Sequence, residues 1–360
     1  MTNPGRLIGL MMLGTGLVLG SGCDDSGSSS NSAAQPPAQP QLQPPAQLPA
    51  QPQSPTVNPS LLEWAQVLEQ SPDPNVVTDA DLLKRIVDTK LPWRVRDKKS
   101  GIEMLLVPPG KFVMGMSPGD EEGVELEKAI AKEITEYADC ERPAHDVTIT
   151  KAFYLGKTEV TQEQWVKVMQ SNPSKFQESA IQKDIDAGLT KQEAQAKVGL
   201  DLPNTLLTAR NPVEQVSWDD CQRFCAATGL RLPTEAEWEY ACRAGVRKPR
   251  YGELAEIAWF RDNSDQTSHP VGKKLPNALG FYDTLGNVLE WCNDKFQCDY
   301  YKDCIDGVVD PKGSSSSPDR VLRGGSWFNP SIICRASIRV GIPPVFYNSD
   351  DIGFRPARTP

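Results

Sequence analysis

A chain of 360 residues with 47 acidic and 38 basic side chains has room for one large domain plus accessory segments, and its net charge of −9 argues against nucleic acid as a partner. The acidity is local, since residues 119–141 hold nine carboxylates against Lys128 and Lys132. Nine cysteines in an exported chain favour disulfides over metal clusters, and two histidines are too few for a histidine-rich iron site.

At the N-terminus, Arg6 precedes an apolar run, Leu7–Leu19, and then the small residues Gly20–Gly22 before Cys23. This pattern reads as a signal peptide over 1–22, with lipidation of Cys23 after cleavage. The expected location is therefore the cell envelope, with the exported chain held to the lipid bilayer through Cys23. Residues 23–58, rich in Pro, Gln, Ala and Ser, lack apolar periodicity and cannot bury enough surface to offset chain entropy. They read as a tether, reaching up to roughly 100 Å at about 3.1 Å per extended residue.

Residues 59–90 read as a short helical lead-in, with helices over Ser60–Leu68 and Asp79–Val87, the second capped by Thr78 or Asp79. From residue 91 to 360 the pattern is that of a single domain. Strands are expected over Ile102–Val107 and Lys111–Met116 around a Pro108-Pro109-Gly110 turn, then over His145–Thr150 and Phe153–Val160. Three helices begin with the same device: Thr161 with Gln164, Ser217 with Asp220, and Thr234 with Glu237. A hydroxyl at the N-cap and a carboxylate or amide three residues on form a capping box, for which Asp is a weaker third-position residue. Two stretches look inserted, at about 117–141 and 177–210. The first places Leu126, Ile130, Ile134 and Tyr137 at helical spacing, and the second places Ile181, Ile185 and Leu189 so, before a further box at Thr190–Glu193. The remainder is mostly turns and short strands, giving an α+β domain with low regular secondary structure.

The cysteine pattern leaves pairing open. Cys221 and Cys225 lie one helical turn apart, where a mutual disulfide is strained, so each pairs elsewhere or is a buried thiol. Several bridges are expected among Cys140, Cys221, Cys225, Cys242, Cys292, Cys298, Cys304 and Cys334. In particular, the loop holding Cys292, Cys298 and Cys304 is expected to be stapled, with metal ligation as the alternative.

An ordered series of motifs then carries a resemblance. Met104-Leu-Leu-Val-Pro-Pro-Gly-Lys-Phe-Val-Met-Gly115, Arg142-Pro-Ala-His145, Glu159-Val-Thr-Gln-Glu-Gln-Trp165 and Asn211-Pro-Val-Glu-Gln-Val-Ser-Trp218 are followed by Leu230-Arg-Leu-Pro-Thr-Glu-Ala-Glu-Trp-Glu-Tyr240. Gly286-Asn-Val-Leu-Glu-Trp291, Arg323-Gly-Gly-Ser-Trp327 and Gly353-Phe-Arg355 complete it. The series resembles the sulfatase-modifying factor, or formylglycine-generating enzyme, family over about three quarters of the chain. The resemblance implies an irregular, C-type-lectin-like α+β fold. In oxidase members it implies copper held by two thiolates, three and eight residues after the Ser of the Gly-Gly-Ser motif. Counted from Ser326 those positions are Asn329 and Cys334, so Ser326 and Cys334 are the catalytic candidates and one thiol is missing. Leu289 also stands where the family usually has Trp. The resemblance further implies a calcium site at Asp283, Gly286, Val288 and Glu290, since calcium takes several oxygen ligands from a loop.

Membership of a fold family does not by itself carry activity. Asn is a poor ligand for Cu(I), and one thiol cannot make a bis-thiolate site. The expected function is a non-oxidase recognition or scaffold module on a lipid tether, binding an envelope protein or glycan in a groove near Ser326–Arg339. The alternatives are a copper-dependent formylglycine-generating or related metallo-oxidase acting on exported proteins, and a structural subunit of an envelope assembly.

Overall fold

The computed structural model describes residues 62–116, 139–197, 207–304, 307–345 and 349–360. Cys23, the tether, and the acidic helix expected at 124–137 lie outside them. Among the described residues no helix is long and apolar enough to cross a membrane.

The chain begins with strand β1 (Ala65–Glu69), helix α1 (Ala80–Asp88) and strands β2 (Arg94–Asp97), β3 (Glu103–Val107) and β4 (Gly110–Met114). Two further strands follow, β5 (His145–Ile149) and β6 (Phe153–Gly156). The helical section comprises α2 (Gln162–Met169), α3 (Glu178–Asp186), α4 (Lys191–Lys197), α5 (Trp218–Thr228), α6 (Glu235–Arg243) and the short α7 (Leu254–Ile257). Strands β7 (Leu289–Lys295), β8 (Val308–Val309), β9 (Arg320–Arg323), β10 (Arg339–Ile342), β11 (Ile352–Gly353) and β12 (Ala357–Arg358) complete the series.

The helix starts follow local chemistry. Thr161, Ser217 and Thr234 each accept an N–H from the third helical residue, whose side chain returns to the cap backbone. Asp220 completes its box as fully as Gln164 and Glu237 do. Thr190 and Glu193 make the same reciprocal pair at 3.2 and 2.8 Å, and Asp79 caps α1 through the Leu82 N–H.

One expectation is corrected. The segment expected as a helix at Ser60–Leu68 contains β1, which pairs antiparallel with β2 in the register Ala65↔Asp97 and Val67↔Val95. A short apolar run does not distinguish helix from strand by itself. Here Trp64 packs edge-on against Tyr154, with ring centroids 5.6 Å apart, and that contact goes with pairing at the sheet edge.

The strands form three sheets, ordered β1-β2-β3-β6-β12, β10-β9-β7-β11 and β4-β5-β8. β12 pairs with β6 next to β3, so the C-terminal strand shares a sheet with the first strands of the chain. The main core runs from Trp93 and Leu105 through Trp165, Phe224 and Phe281 to Trp291 and Phe354. Trp165 stacks on Phe224 at 5.5 Å, and Phe354 meets both rings edge-on.

Cysteine pairing differs from expectation. One disulfide, Cys140–Cys298, occurs among the described residues, while Cys221, Cys225, Cys242, Cys292, Cys304 and Cys334 are buried thiols. Cys298 is thus stapled, but to Cys140 rather than within its own loop. Cys242, Cys292 and Cys334 instead pack among Trp238, Leu254, Leu285 and Val321, acting as small apolar side chains.

Candidate functional site

The turn after β9 places the first candidates. Gly324 and Gly325 have φ of +95° and +77°, a region that side chains with a Cβ rarely adopt. A Cβ on Gly325 would sit 2.8 Å from the Cys334 sulfur, and one on Gly324 would sit 2.8 Å from the Thr284 carbonyl. Two bare residues therefore let the chain pass between these neighbours and deliver Ser326 beside Cys334. The Cys334 sulfur lies 3.9 Å from the Ser326 carbonyl oxygen.

The Ser326 hydroxyl lies 3.0 Å from Asn329 Oδ1 and 2.8 Å from Asp351 Oδ2. A hydroxyl has one hydrogen to donate, and amide orientation is assigned from the network. Donation to Asp351, with the Asn329 amide turned to donate to Ser326, satisfies all three. Ser349 donates to the other Asp351 oxygen. The four side chains are nearly or fully buried, and burial pushes the Asp351 carboxyl up. Leu289 joins the same site, its N–H donating to the Asp351 carbonyl at 2.8 Å.

Cys334 is fully buried, and burial pushes its thiol up to about 12. Burial thus favours the neutral thiol, and ligation of Cu(I) there would have to displace its proton. The donor set at the two copper positions is thus one thiol in an apolar packing site and one amide hydrogen-bonded to Ser326. It does not fit Cu(I).

The stretch expected to line a groove, Ser326–Arg339, is partly exposed at Phe328, Pro330 and Ser331 and buried beyond them. Residues Ile332–Arg339 are buried without a break. Arg335 clamps Glu141 at 2.5 and 2.7 Å, and Arg339 grips Glu235 with two bonds of 2.7 Å. Arg323 pairs with Glu239, which Arg243 also reaches at 2.8 Å. Arg323 and Arg339 knit β9 and β10 to α6, and Arg335 ties the intervening turn to Glu141, so residues 332–339 are framework rather than a ligand-facing wall.

The expected calcium positions come close together but present a different set of contacts. Glu290 accepts from Arg355 Nε and Nη2 at 2.6 to 2.9 Å and from the Trp238 indole at 2.7 Å. Both its oxygens are committed to a fixed cation and a neutral donor. Asp283 accepts the Gly272 N–H at 2.7 Å through Oδ2, while its Oδ1 is buried without a partner. Gly286 donates its N–H to the Gly324 carbonyl at 3.1 Å. The Val288 N–H goes to Glu159 Oε1 at 3.1 Å, and Asn287 holds Oε2 at 2.8 Å. Glu290 therefore does not fit as a calcium ligand. Among the described residues no three His, Cys, Asp or Glu side chains converge to hold a metal ion. The carboxylates respond through burial instead, with Asp283 pushed up to about 6 and Glu159 raised further by its acidic neighbours.

Sequence reasoning did not assign roles here to Glu159, Ser349 or Asp351. Glu159 lies 128 residues before the Asn287 amide it accepts, and no local spacing advertises that contact.

Residues 93–360 match the family model described as the sulfatase-modifying factor enzyme 1-like domain. A formylglycine-generating enzyme of Streptomyces coelicolor is 31% identical over 290 residues, covering 69% of this chain and 87% of that enzyme. Serine/threonine-protein kinase pkn1 of Chlamydia caviae is 30% identical over 71% of this chain, which spans only 38% of that kinase. Among solved structures, PvdO from Pseudomonas aeruginosa aligns with a TM-score of 0.53 and 27% identity, over 74% of this chain and 98% of that one.

Proposed function

The chain belongs to the sulfatase-modifying factor family, and from that premise we propose that it is a member without oxidase activity. Its domain serves as a recognition or scaffold module carried by an envelope lipoprotein. The observation that carries this reading is the pair of side chains at the copper positions. Asn329 is held in a hydrogen-bonded chain with Ser326 and Asp351, and Cys334 is a buried thiol that burial keeps toward its neutral form. Without two thiolates there is no bis-thiolate centre for Cu(I). The framework that holds these loops does not require the chemistry. The buried Arg–Glu pairs and the Trp238 and Trp291 packing keep the domain rigid whatever its surface binds.

The anchor belongs to the same proposal. Cys23 after a signal-like segment and a 23–58 tether hold the domain away from a bilayer, where its partner is an envelope protein or a glycan. A diacylglycerol mass on Cys23 in the mature chain tests the anchor. Calcium is left out of the proposal because Glu290 is committed to Arg355.

A second reading has one observation in its favour. Ser326 and Cys334 remain neighbours, as an oxidase pocket would need them. The deciding experiment incubates the purified domain with a Cys-containing sulfatase peptide, with and without copper. The non-oxidase reading expects no aldehyde in the peptide under either condition. Aldehyde formed by the unmodified chain overturns it.

A further inference from the structure

A cleft of about 310 Å³ opens where α1 meets β4, β5 and the C-terminal end of α6. Its floor is apolar, built from Leu82 of α1, Phe112 and Val113 of β4, and Leu279. The Phe112 and Tyr240 rings pack together in the lining, with centroids 5.2 Å apart. Its walls carry Arg85, Lys111 and Arg247. Among the described residues none of these three cations is paired with a carboxylate. Arg243 also lines the cleft but is occupied by Glu239 and the Gly115 carbonyl. Among the described residues Asp146 is the one carboxylate in the lining, so their charges leave the cleft an excess of cations.

Arg85 and Tyr240 meet directly in the cleft wall. Arg85 Nη1 donates to the Tyr240 hydroxyl oxygen at 2.7 Å, which leaves the phenol its own hydrogen to donate. A guanidinium and a hydroxyl side by side are a donor pair suited to one oxyanion. The backbone makes room for them at Gly110, where a Cβ would collide with both Tyr240 Oη and Arg85 Nη1. Arg85 and Leu82 precede residue 93, where the family match begins. The lead-in helix therefore contributes one cation and one apolar side chain to the cleft.

We propose that this cleft binds an anionic amphiphile, a small molecule with one carboxylate or phosphate monoester group on a short apolar chain. Arg85, Lys111, Arg247 and the Tyr240 hydroxyl hold the anion, while Leu82, Phe112, Val113 and Leu279 receive the chain. The cations supply the attraction, and burial of the chain against the apolar lining adds to it with each methylene removed from water. A soluble molecule fits better than a bilayer surface, because the apolar side chains form a recessed floor in which Phe112 and Val113 are half-buried. The site lies apart from Ser326 and Cys334 and does not depend on whether oxidase chemistry survives there.

Octanoate and octyl phosphate titrated calorimetrically into the full chain test the proposal, beside 1-octanol and acetate. Both anionic amphiphiles are expected to saturate a single site. Octanol and acetate should each bind at least tenfold more weakly, because each lacks one half of the recognised chemistry. Arg85→Gln and Lys111→Gln should each weaken octanoate at least fivefold. Gly110→Ala should do the same by displacing the Arg85–Tyr240 pair, and Lys111 is exposed enough that its variant tests the site even if the others fold poorly. Octanol binding as tight as octanoate overturns the proposal. So does octanoate affinity unchanged in Lys111→Gln, or binding seen only with phosphatidylglycerol vesicles.

Discussion

Arg355→Met should be among the most damaging single changes in the domain. The Arg355 side chain is fully buried and meets both oxygens of Glu290. It also donates to the carbonyls of Gly156, Tyr282 and Asp283 at 3.1, 2.9 and 3.1 Å, tying the end of β6 to the loop before β7. Removing it strands a buried carboxylate beside Glu159 and Asp283, two further buried acids. Breaking one side of a buried pair costs about 3–5 kcal/mol, and the abandoned carbonyls place this case at the upper end. For a domain of this size that is a melting temperature lower by roughly 10 °C. Glu290→Met removes the other partner and leaves Arg355 its backbone carbonyls, so it should cost less. The double variant should be less destabilised than the sum of the singles by about 2 kcal/mol, the signature of a coupled pair. Urea denaturation of all four proteins measures the cycle. A loss below about 1 kcal/mol for Arg355→Met, or strict additivity, would refute the reasoning.

Three other predictions follow from the same geometry. Glu214 is buried with one oxygen accepting the Phe176 N–H at 2.9 Å and the other without a partner, and burial pushes its carboxyl up to about 8 from the usual 4.5. The folded chain keeps a proton that the unfolded chain releases, so this group's contribution to stability declines as pH rises from about 4.5 through about 8. Glu214→Gln, which mimics the protonated acid, should flatten that decline in melting curves against pH; an unchanged slope counts against it. The described thiols should react with a thiol reagent only on unfolding, and peptide mapping should recover Cys140 joined to Cys298. Rapid labelling of Cys334 in the native protein would contradict its burial. EDTA should move the melting temperature by less than about 1 °C, since ligand-linked stabilisation needs a ligand. A larger drop, reversed by calcium, would restore Glu290 to a metal site.

Much of the fold was legible because its signals are local. The boxes at Thr161–Gln164, Ser217–Asp220 and Thr234–Glu237 span three residues each, and the same contacts form in any chain that starts a helix there. The runs that became β3, β5 and β6 were equally readable. Partner choice was not. The sequence alone offers Glu290 as an oxygen ligand in a Gly-Asn loop, and only the folded chain brings Arg355, 65 residues away, onto both of its oxygens. Cys140 meets Cys298 across 158 residues, while Cys334 is enclosed by apolar neighbours instead of being bridged. β1 became a strand because β2 was there to pair with it. Residue types and short spacings determine which groups can cap a helix, ligate a metal or bridge. Which of those roles each group takes is decided by tertiary contacts, because a buried charge or thiol is stabilised by whatever the fold places within a few ångströms of it.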